Sequence, residues 1–319
     1  MENTMKKIDV CFIILHYMDQ NLTERTVASI LGLNDIHNSK IVIVDNASSN
    51  GSGMELKKLY EKNNNIEVVI SDINGGFATG NNLGYQLCKS KYDMDFVIVV
   101  NNDVVFEQKD FIRVLYQCYN IESFFIAGPD IFVPHRSCHQ SPILTQLRTV
   151  KDMEKAIQDG ENWIYKYSKK FSATMYRKWL VEKFRDCKFM VKLIQIYRKI
   201  RPQRNIEWKK MKEGAVLFGA CIIFSNQYCK INDILFEPLT FMYGEEDYLA
   251  LRCKKNNWRM IYFPQLQVLH TNQGSTIANR VSYREFCRKK RNSINECNKT
   301  YKIYIEMYKK MMGSNMDVQ

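Results

Sequence analysis

Short apolar runs alternate with helix-like segments through the first 133 residues, and this alternation limits the folds open to the chain. The runs are rich in β-branched residues, and segments with helical spacing such as LTERTVASILGL and DFIRVLYQCY lie between them. We expect Asn21 or Thr23 to cap the first helix. Strands that alternate with helices predict right-handed βαβ units and an α/β fold with a mostly parallel sheet. The predicted strands are IDVCFIILHY, KIVIVDNAS, IEVVISD, FVIVVNND and FFIAGPDIFV.

The regular alternation stops near Pro134. Residues 140–212 contain no strand-like run, are strongly basic and carry helical spacing over 175–200, which predicts a helical insertion laid on the sheet. Strand-like sequence resumes at AVLFGACIIFS and RMIYFPQLQVLH, which the helix-like GEEDYLALRCKKNNW separates. A basic amphipathic helix is predicted from about Tyr283 onward. The predicted parts are two sheet-forming halves, 1–139 and 213–279, the insertion, 140–212, and a basic C-terminal helix, 280–319.

Positive charge is concentrated in two segments of a chain whose net charge is +12. Residues 148–212 carry 19 Lys+Arg against 7 Asp+Glu, and residues 280–310 carry 10 against 3, interleaved with aromatic residues and methionine in both cases. This pattern is typical of contact with an anionic membrane surface, of nucleic-acid binding, or of a solvated helical face. Because no recognisable nucleic-acid module accompanies it, we expect an anionic membrane surface as a partner and no nucleic acid. The solvated face stays the alternative.

The lengths of the apolar runs and the cysteine content indicate the cellular compartment of the protein. No apolar run approaches the roughly 20 residues of a transmembrane helix, so the sequence predicts a soluble or peripheral protein. The ten cysteines are scattered without a CxxC motif, and many unpaired thiols favour a reducing compartment. Together these features predict a cytoplasmic location.

Polar side chains follow the predicted strands at the point where each one ends. Side chains in such places meet at the carboxyl edge of a parallel sheet, where open α/β sheets bind ligands. A turn or cap would explain any single member, but four in succession predict the polar wall of a ligand crevice. The set is Tyr17 after the first strand, Asp45 and Asn46 after the second, Asp72 and Asn74 after the third, and Asn101, Asn102 and Asp103 after the fourth. Asp45 and Asp72 are candidates to accept from a base N–H or from ribose hydroxyls, and Asp103 could hold a cation or a sugar.

The stretch NGGFATGNNLGY places a Gly-rich loop at the start of a predicted helix. Its glycine spacing gives neither GxGxxG nor a P-loop, which argues against a dinucleotide fingerprint and a P-loop ATPase. Close backbone approach and a helix N-terminus suit a diphosphate or sugar hydroxyls, so Gly76 and Asn81 are donor-binding candidates. A flexible loop followed by a helix cap is the alternative.

Several of these motifs occur together in a known order. VDNASSNGS, NGGFATGNNLGY, NNDV, MYGEED with LALR, and a strand ending in His270 followed by Gly274 and Ser275 succeed one another along the chain. The series resembles the inverting family 2 glycosyltransferases of the GT-A fold, especially the bacterial rhamnosyltransferase-like enzymes that build capsule, O-antigen and other surface glycans. The resemblance covers about residues 8–275 apart from 140–212. It implies that 1–139 is the nucleotide-sugar half of a GT-A domain and 213–279 the acceptor and catalytic half.

The resemblance implies roles for the strand-end residues. Asp45 and Asp72 would hold the base and ribose of the donor nucleotide. The family's DxD motif holds a divalent cation on the donor diphosphate, and here it reads Asn101-Asn102-Asp103, so that only Asp103 keeps a carboxylate. His270 matches a frequent second metal ligand of the fold. A carboxylate and an imidazole, with diphosphate oxygens and water, suit Mg²⁺ or Mn²⁺.

The resemblance also implies a general base. In the family the base comes from a Glu-Asp pair at a helix start, and without a gap MYGEEDYLALR aligns Glu245 and Glu246 with that pair. This alignment also matches Leu249 and Arg252, and it makes Glu246 the base. A shift of one residue would make Asp247 the base instead.

The expected activity is therefore transfer of a sugar from dTDP-rhamnose or a UDP-hexose to a hydroxyl of a growing, lipid-linked bacterial surface glycan. The enzyme would work at the inner face of the cell membrane. A catalytically inactive nucleotide-sugar or glycan-binding relative is one alternative, suggested by NND in place of DxD. A sugar nucleotidyltransferase is another, although HYMDQNLTERT lacks the Gly-rich loop with Lys or Arg that such enzymes show after strand one. The sequence leaves the oligomeric state open, a homo-oligomer included.

Overall fold

The computed structural model describes residues 5–169, 171–184, 208–271 and 281–312, together with positions 192 and 196. Ten strands in this part of the chain form one sheet. They are β1 (Lys6–His16), β2 (Ser39–Asp45), β3 (Ile66–Ile70), β4 (Tyr92–Asn101), β5 (Val104–Val105), β6 (Ile126–Val133), β7 (Cys138–His139), β8 (Lys212–Glu213), β9 (Cys221–Ser225) and β10 (Met260–His270).

The order across the sheet is β3-β2-β1-β4-β9-β6-β10-β5, with β7 paired to β6 and β8 paired to β10. β1 pairs in parallel with both β2 and β4, β2 pairs in parallel with β3, and β6 does so with β10. The longest ladders of the sheet are thus parallel. This arrangement confirms the predicted α/β fold with a mostly parallel sheet flanked by helices.

The strand β9 departs from the predicted parallel series, because it runs antiparallel between β4 and β6. β6 therefore does not pair with β4 as consecutive βαβ units would. Of the predicted strand AVLFGACIIFS only the last five residues belong to β9. An apolar run of this kind predicts a strand that is buried on both faces. It does not indicate whether the strand runs parallel or antiparallel to its neighbours.

The helices lie between the strands at the predicted places. The first helix is capped by Asp19, whose Oδ1 accepts from Leu22 N–H at 3.1 Å, so the predicted caps Asn21 and Thr23 are wrong. Thr23 is buried instead, one turn inside the helix. The helices are α1 (Gln20–Leu31), α2 (Ser52–Tyr60), α3 (Gly76–Lys91), α4 (Phe111–Ile121), α5 (Val150–Ser168), α6 (Ala173–Lys183), α7 (Asn226–Ile231), α8 (Glu245–Asn256) and α9 (Tyr283–Met312).

Two apolar layers cover the two faces of the sheet, because alternate residues of a strand point to opposite sides. In β1, Val10, Phe12 and Ile14 pack in the layer that includes side chains of α1, α2 and α4. Cys11 and Ile13 pack in the layer that includes side chains of α3, α7 and α8. The sheet is therefore the middle of three layers, as its nearly continuous apolar strands require.

Cys11 of β1 and Cys88 of α3 form a disulfide across this second layer, and the other seven described cysteines are free. Seven free thiols agree with the expectation of many unpaired cysteines, and the one pair departs from it. The two residues are 77 positions apart, and α3 packing over β1 brings them together.

Helices of the two basic segments pack on one another. Met153 of α5 and Tyr304 of α9 lie in one buried cluster with Tyr248 and Leu251 of α8. The predicted insertion contains the helices α5 and α6, and the predicted C-terminal segment contains α9. Residues 140–149 form no helix, and Lys212 at the predicted end of the insertion belongs to strand β8. The amphipathic spacing predicted beyond residue 184, and the predicted Gly274 and Ser275, lie outside the described residues.

No helix in the described part of the chain has both the length and the apolar content needed to span a bilayer.

Candidate active site

Side chains from several strands meet at one edge of the sheet. β2 ends at Asp45, β4 at Asn101 and β10 at His270, and the register places Asp45 beside His16 at the end of β1. Because β9 is antiparallel, its N-terminal end lies at this same edge, and Asn101 N–H donates to Ala220 O at 2.9 Å. The predicted crevice edge therefore gathers residues from both halves of the chain.

Asp103 and His270 are in direct contact at this edge. The pairing of β5 with β10 sets Val104 opposite His270, which brings His270 Nε2 to 2.9 Å from Asp103 Oδ1. His270 Nδ1 lies 2.6 Å from Oε1 of Gln140. An amide oxygen only accepts, so Nδ1 carries a proton and donates it, and the Nε2 of a neutral ring then presents a lone pair to the carboxylate. Two acceptors at this separation need a proton or a cation between them.

The donor set of this pair fits a divalent cation. A carboxylate oxygen and an imidazole nitrogen both serve Mn²⁺, and the carboxylate also serves Mg²⁺. Neighbouring ligands of an octahedral site with bonds of about 2.1 Å lie about 3 Å apart. The Nε2–Oδ1 separation of 2.9 Å agrees with that spacing. Within the described ranges no group of three or more His, Cys, Asp and Glu side chains could hold an ion. A cation bound to Asp103 and His270 would therefore need ligands from a bound diphosphate and water.

Three consecutive acids begin α8. Glu245 and Asp247 are buried, whereas Glu246 is partly exposed. Glu246 Oε1 accepts from Gly219 N–H at 3.1 Å, just before β9, which places Glu246 at the same edge as Asn101. Burial raises the pKa of Glu245 to about 7 and raises the pKa of Glu246 and of Asp247. A reachable carboxylate with a raised pKa is what a general base working near neutral pH requires.

Asp45 and Asn46 are both buried and hold the loops at this edge of the sheet. Asp45 Oδ1 accepts from Ser48 N–H at 3.2 Å. Asn46 accepts from Gly75 N–H at 3.0 Å and donates to Gly76 O at 3.1 Å. Both side chains fix the backbone of the crevice wall. Direct contact of either with a nucleotide stays a prediction.

His16 was missed by the sequence analysis. Its ring is 0% exposed, with Nδ1 2.7 Å from Thr23 Oγ1 and Nε2 2.8 Å from Ser52 Oγ. Burial lowers the pKa of His16, and Asp45, 3.9 Å away, opposes that effect only in part. A neutral His16 therefore ties β1 to α1 and α2 beneath the crevice. A polar residue at the end of the first apolar run could have pointed to His16. The prediction for this strand end named the neighbouring Tyr17 instead.

The Gly-rich loop is fixed by backbone contacts. Gly76 has a φ of 76°, and a Cβ there would overlap with the carbonyl oxygen of Phe241. Only glycine combines this φ with so close an approach. Asn74 Oδ1 accepts from Gly76 N–H at 3.1 Å, whereas Asn81 is fully buried, donates to Phe77 O at 2.9 Å and has an Oδ1 without a partner among the described residues. These contacts hold the loop in place at the predicted crevice.

The remaining donor-binding candidates lie where a ligand can reach them. Tyr17 is 50% exposed, and Asp72 is also exposed. Asn102 is partly exposed, and its Nδ2 donates to Thr23 Oγ1 at 3.2 Å. Tyr17 and Asp72 are therefore the accessible aromatic and acidic groups of the predicted donor set.

The chain is similar to known glycosyltransferases. Residues 11–170 match the family described as Glycosyl transferase family 2. The matched stretch runs from β1 through α5, so it contains Asp45 and Asp103, whereas Glu246 and His270 lie beyond it. The low-salt glycan biosynthesis hexosyltransferase Agl10 of Haloferax volcanii is 28% identical over 123 residues, which are 39% of this chain. This chain spans 36% of the length of that curated relative.

Solved structures share the fold. S. aureus TarS, residues 1–349, superposes with a TM-score of 0.50 at 12% identity, over 98% of this chain and 76% of that chain. The same fragment in complex with UDP superposes with a TM-score of 0.50 at 13% identity, over 82% of this chain and 60% of that chain. The likeness supports the GT-A type of α/β fold. Because the family match covers half of the sequence, the chain belongs to glycosyl transferase family 2.

Proposed function

We propose that the protein transfers a sugar from a nucleotide-diphosphate donor to a hydroxyl of a growing, lipid-linked bacterial surface glycan, with inversion at the anomeric carbon. One observation carries the proposal. A partly exposed carboxylate, Glu246, lies at the same sheet edge as the Asp103–His270 pair and the ends of β1 and β2. This edge combines a proton acceptor with a place for an anionic diphosphate.

The chemistry follows from this placement. The acceptor oxygen forms a bond to the anomeric carbon as the bond from that carbon to the diphosphate oxygen breaks. Glu246 takes the hydroxyl proton, and the electron pair of the broken bond leaves with the nucleoside diphosphate. Tyr17 and Asp72 would bind the nucleotide, since they are the accessible candidates at the first and third strand ends. A divalent cation held by Asp103 and His270 would neutralise charge on the departing diphosphate.

The donor is proposed to be dTDP-rhamnose or a UDP-hexose. The rhamnosyltransferase-like motifs favour the first, and the named hexosyltransferase relative and the UDP complex of TarS favour the second. Transfer and hydrolysis should be measured with a panel of dTDP- and UDP-sugars, with and without Mn²⁺. Turnover with one donor, at least about tenfold above the others, is expected. A protein that binds nucleotide sugars but turns over none of them is the inactive relative suggested by NND in place of DxD.

We also propose that the helical layer of α5, α6 and α9 docks the protein on the cytoplasmic face of the membrane. Tyr165, Phe171 and Phe184 in this layer are 67%, 63% and 50% exposed. Lys169 Nζ lies 4.9 Å from the ring centroid of Tyr165, and Lys183 Nζ lies 4.7 Å from that of Trp179. Aromatic rings beside lysines suit the boundary between headgroups and acyl chains.

Neutralising two of these lysines should weaken membrane binding. Each Lys near an anionic surface contributes about 1 kcal/mol, so Lys169→Gln combined with Lys183→Gln should reduce vesicle affinity by about 30-fold. Flotation with phosphatidylglycerol-containing vesicles at two salt concentrations measures this. Lys57→Gln combined with Lys58→Gln, on the exposed side of α2, is the matched control and should bind like the wild type. Equal flotation with neutral and anionic vesicles, or none with either, would remove the docking proposal.

A further inference from the structure

Arg148 connects the helical layer to the acids of α8. It directly precedes Thr149, the N-cap of α5, and its Nε lies 3.3 Å from Oδ1 of Asp247. Both side chains are largely withdrawn from solvent, at 24% and 11% exposure. The ion pair is therefore screened less than one at the surface.

The C-terminal helix holds Arg148 in this position from two sides. Tyr304 O–H donates to the backbone oxygen of Arg148 at 2.8 Å. The guanidinium lies over the ring of Tyr301, 5.9 Å from its centroid. Tyr304 itself is fully buried and belongs to the cluster that joins α5, α8 and α9. Arg148 is thus anchored by the parts of the chain that lie outside the sheet.

The acids of α8 need such a cation. Three carboxylates in one helical turn repel one another, and burial disfavours the charged form of each. The groups that face Asp247 and Glu246 come from several elements: Arg148 before α5, the Gly219 N–H before β9, Glu245 and Tyr248 on α8, and Tyr301 and Tyr304 on α9. Arg148 is the one cation in that set of described residues.

We infer that Arg148 is a positioning residue for the transfer reaction: through its ion pair with Asp247 it keeps the α8 acids ionised and oriented, so that Glu246 is ready to accept the hydroxyl proton. The inference rests on the proposed function and extends it, because it makes the helical layer part of the catalytic apparatus. Its consequence is a pH dependence. The charge of Arg148 lowers the pKa of Asp247 and of Glu246 against the effect of burial, so losing it raises both.

The test compares Arg148→Met, Arg148→Lys and the wild type in kcat against pH. In Arg148→Met the acidic limb of the profile should move upward by about one pH unit or more. Activity at a pH below the wild-type midpoint should then fall about tenfold, while activity on the plateau well above that midpoint stays within about threefold. Arg148→Lys keeps a cation and should restore most of the profile. Lys151→Met, an exposed residue of the same helix, is the control and should leave the profile unchanged.

A purely structural role for Arg148 predicts something different. Arg148→Met would then lower kcat by one factor at all pH values, together with the melting temperature, and that outcome overturns the inference. If the wild type transfers no sugar from any donor, the proposed function fails. The effect of Arg148 on Asp247 can still be tested without activity, by NMR titration of the labelled Asp247 carboxyl in the wild type and in Arg148→Met. An unchanged titration midpoint counts against the inference, and an upward shift supports it.

Discussion

Replacement of Glu246 by glutamine should leave donor binding intact and lower kcat by about 10²- to 10⁴-fold. Glutamine retains an oxygen that can accept from Gly219 N–H, a contact of 3.1 Å in the wild type, so the loop before β9 should keep its place. What the amide cannot do is take the proton of the acceptor hydroxyl. Release of nucleoside diphosphate gives kcat and KM, and calorimetry gives the dissociation constant of the donor.

The neighbouring acids supply the controls for this experiment. Asp247→Asn removes the partner of Arg148 and should lower kcat less than Glu246→Gln does. If Glu246→Gln turns over like the wild type and Asp247→Asn is inactive, the base lies one position further along α8. The pH profile gives a second criterion. Burial raises the pKa of Glu246, so the wild type should lose activity as pH falls through that raised value, at a pH above the ordinary glutamate range. The residual activity of Glu246→Gln should lack this limb.

The fold was predictable where each element has a local signal. The continuous apolar runs of β1, β2 and β4 and the helical spacing between them are properties of neighbouring residues, and the structure confirms those elements. The position of β9 has no such signal. Its antiparallel place between β4 and β6 depends on long-range packing, which a single apolar run does not encode. The predicted caps of α1, Asn21 and Thr23, lie two and four residues beyond the observed cap, Asp19, because several polar residues compete at that helix start and the final choice depends on backbone geometry.

The site was predictable to a similar extent. Asp103, Glu246 and His270 were predicted from motifs that resemble those of the family, and the structure brings all three to the sheet edge at which β1, β2 and β4 end, while their roles stay predictions. Their partners were not identified. Gln140 and Arg148 come from the segment predicted as an insertion, far in sequence from the residues they contact. No pattern of neighbouring residues marks a side chain whose partner lies about 100 to 130 positions away.

The second large effect is expected at Asp103. In Asp103→Asn the amide can donate to His270 Nε2 across the 2.9 Å gap, so the local structure should persist without any need for a cation between the two residues. The variant should lose the Mn²⁺-dependent part of donor affinity, at least about tenfold, by analogy with the 10- to 100-fold cost of disturbing a metal site. Transfer should fall by about 10²-fold or more, since charge on the leaving diphosphate is no longer neutralised. Donor titrations by calorimetry with Mn²⁺ and with EDTA measure the first effect, and initial rates measure the second.

A variant that should gain cation affinity also tests whether Asp103 and His270 hold a cation. The motif keeps one carboxylate of the two in DxD, and Asn101, at the end of β4 and partly exposed, holds the position of the missing one. Asn101→Asp adds a carboxylate at the edge where Asp103 and His270 meet, and a site with only two protein ligands should gain cation affinity from a third. We expect half-maximal activation at a lower Mn²⁺ concentration than in the wild type, by about tenfold, with the Asp103→Asn background abolishing most of that gain. The contrary outcome is a donor affinity that does not depend on Mn²⁺ in the wild type, in Asp103→Asn or in Asn101→Asp. It would mean that a proton joins Asp103 to His270 and that this pair contacts the diphosphate without a metal.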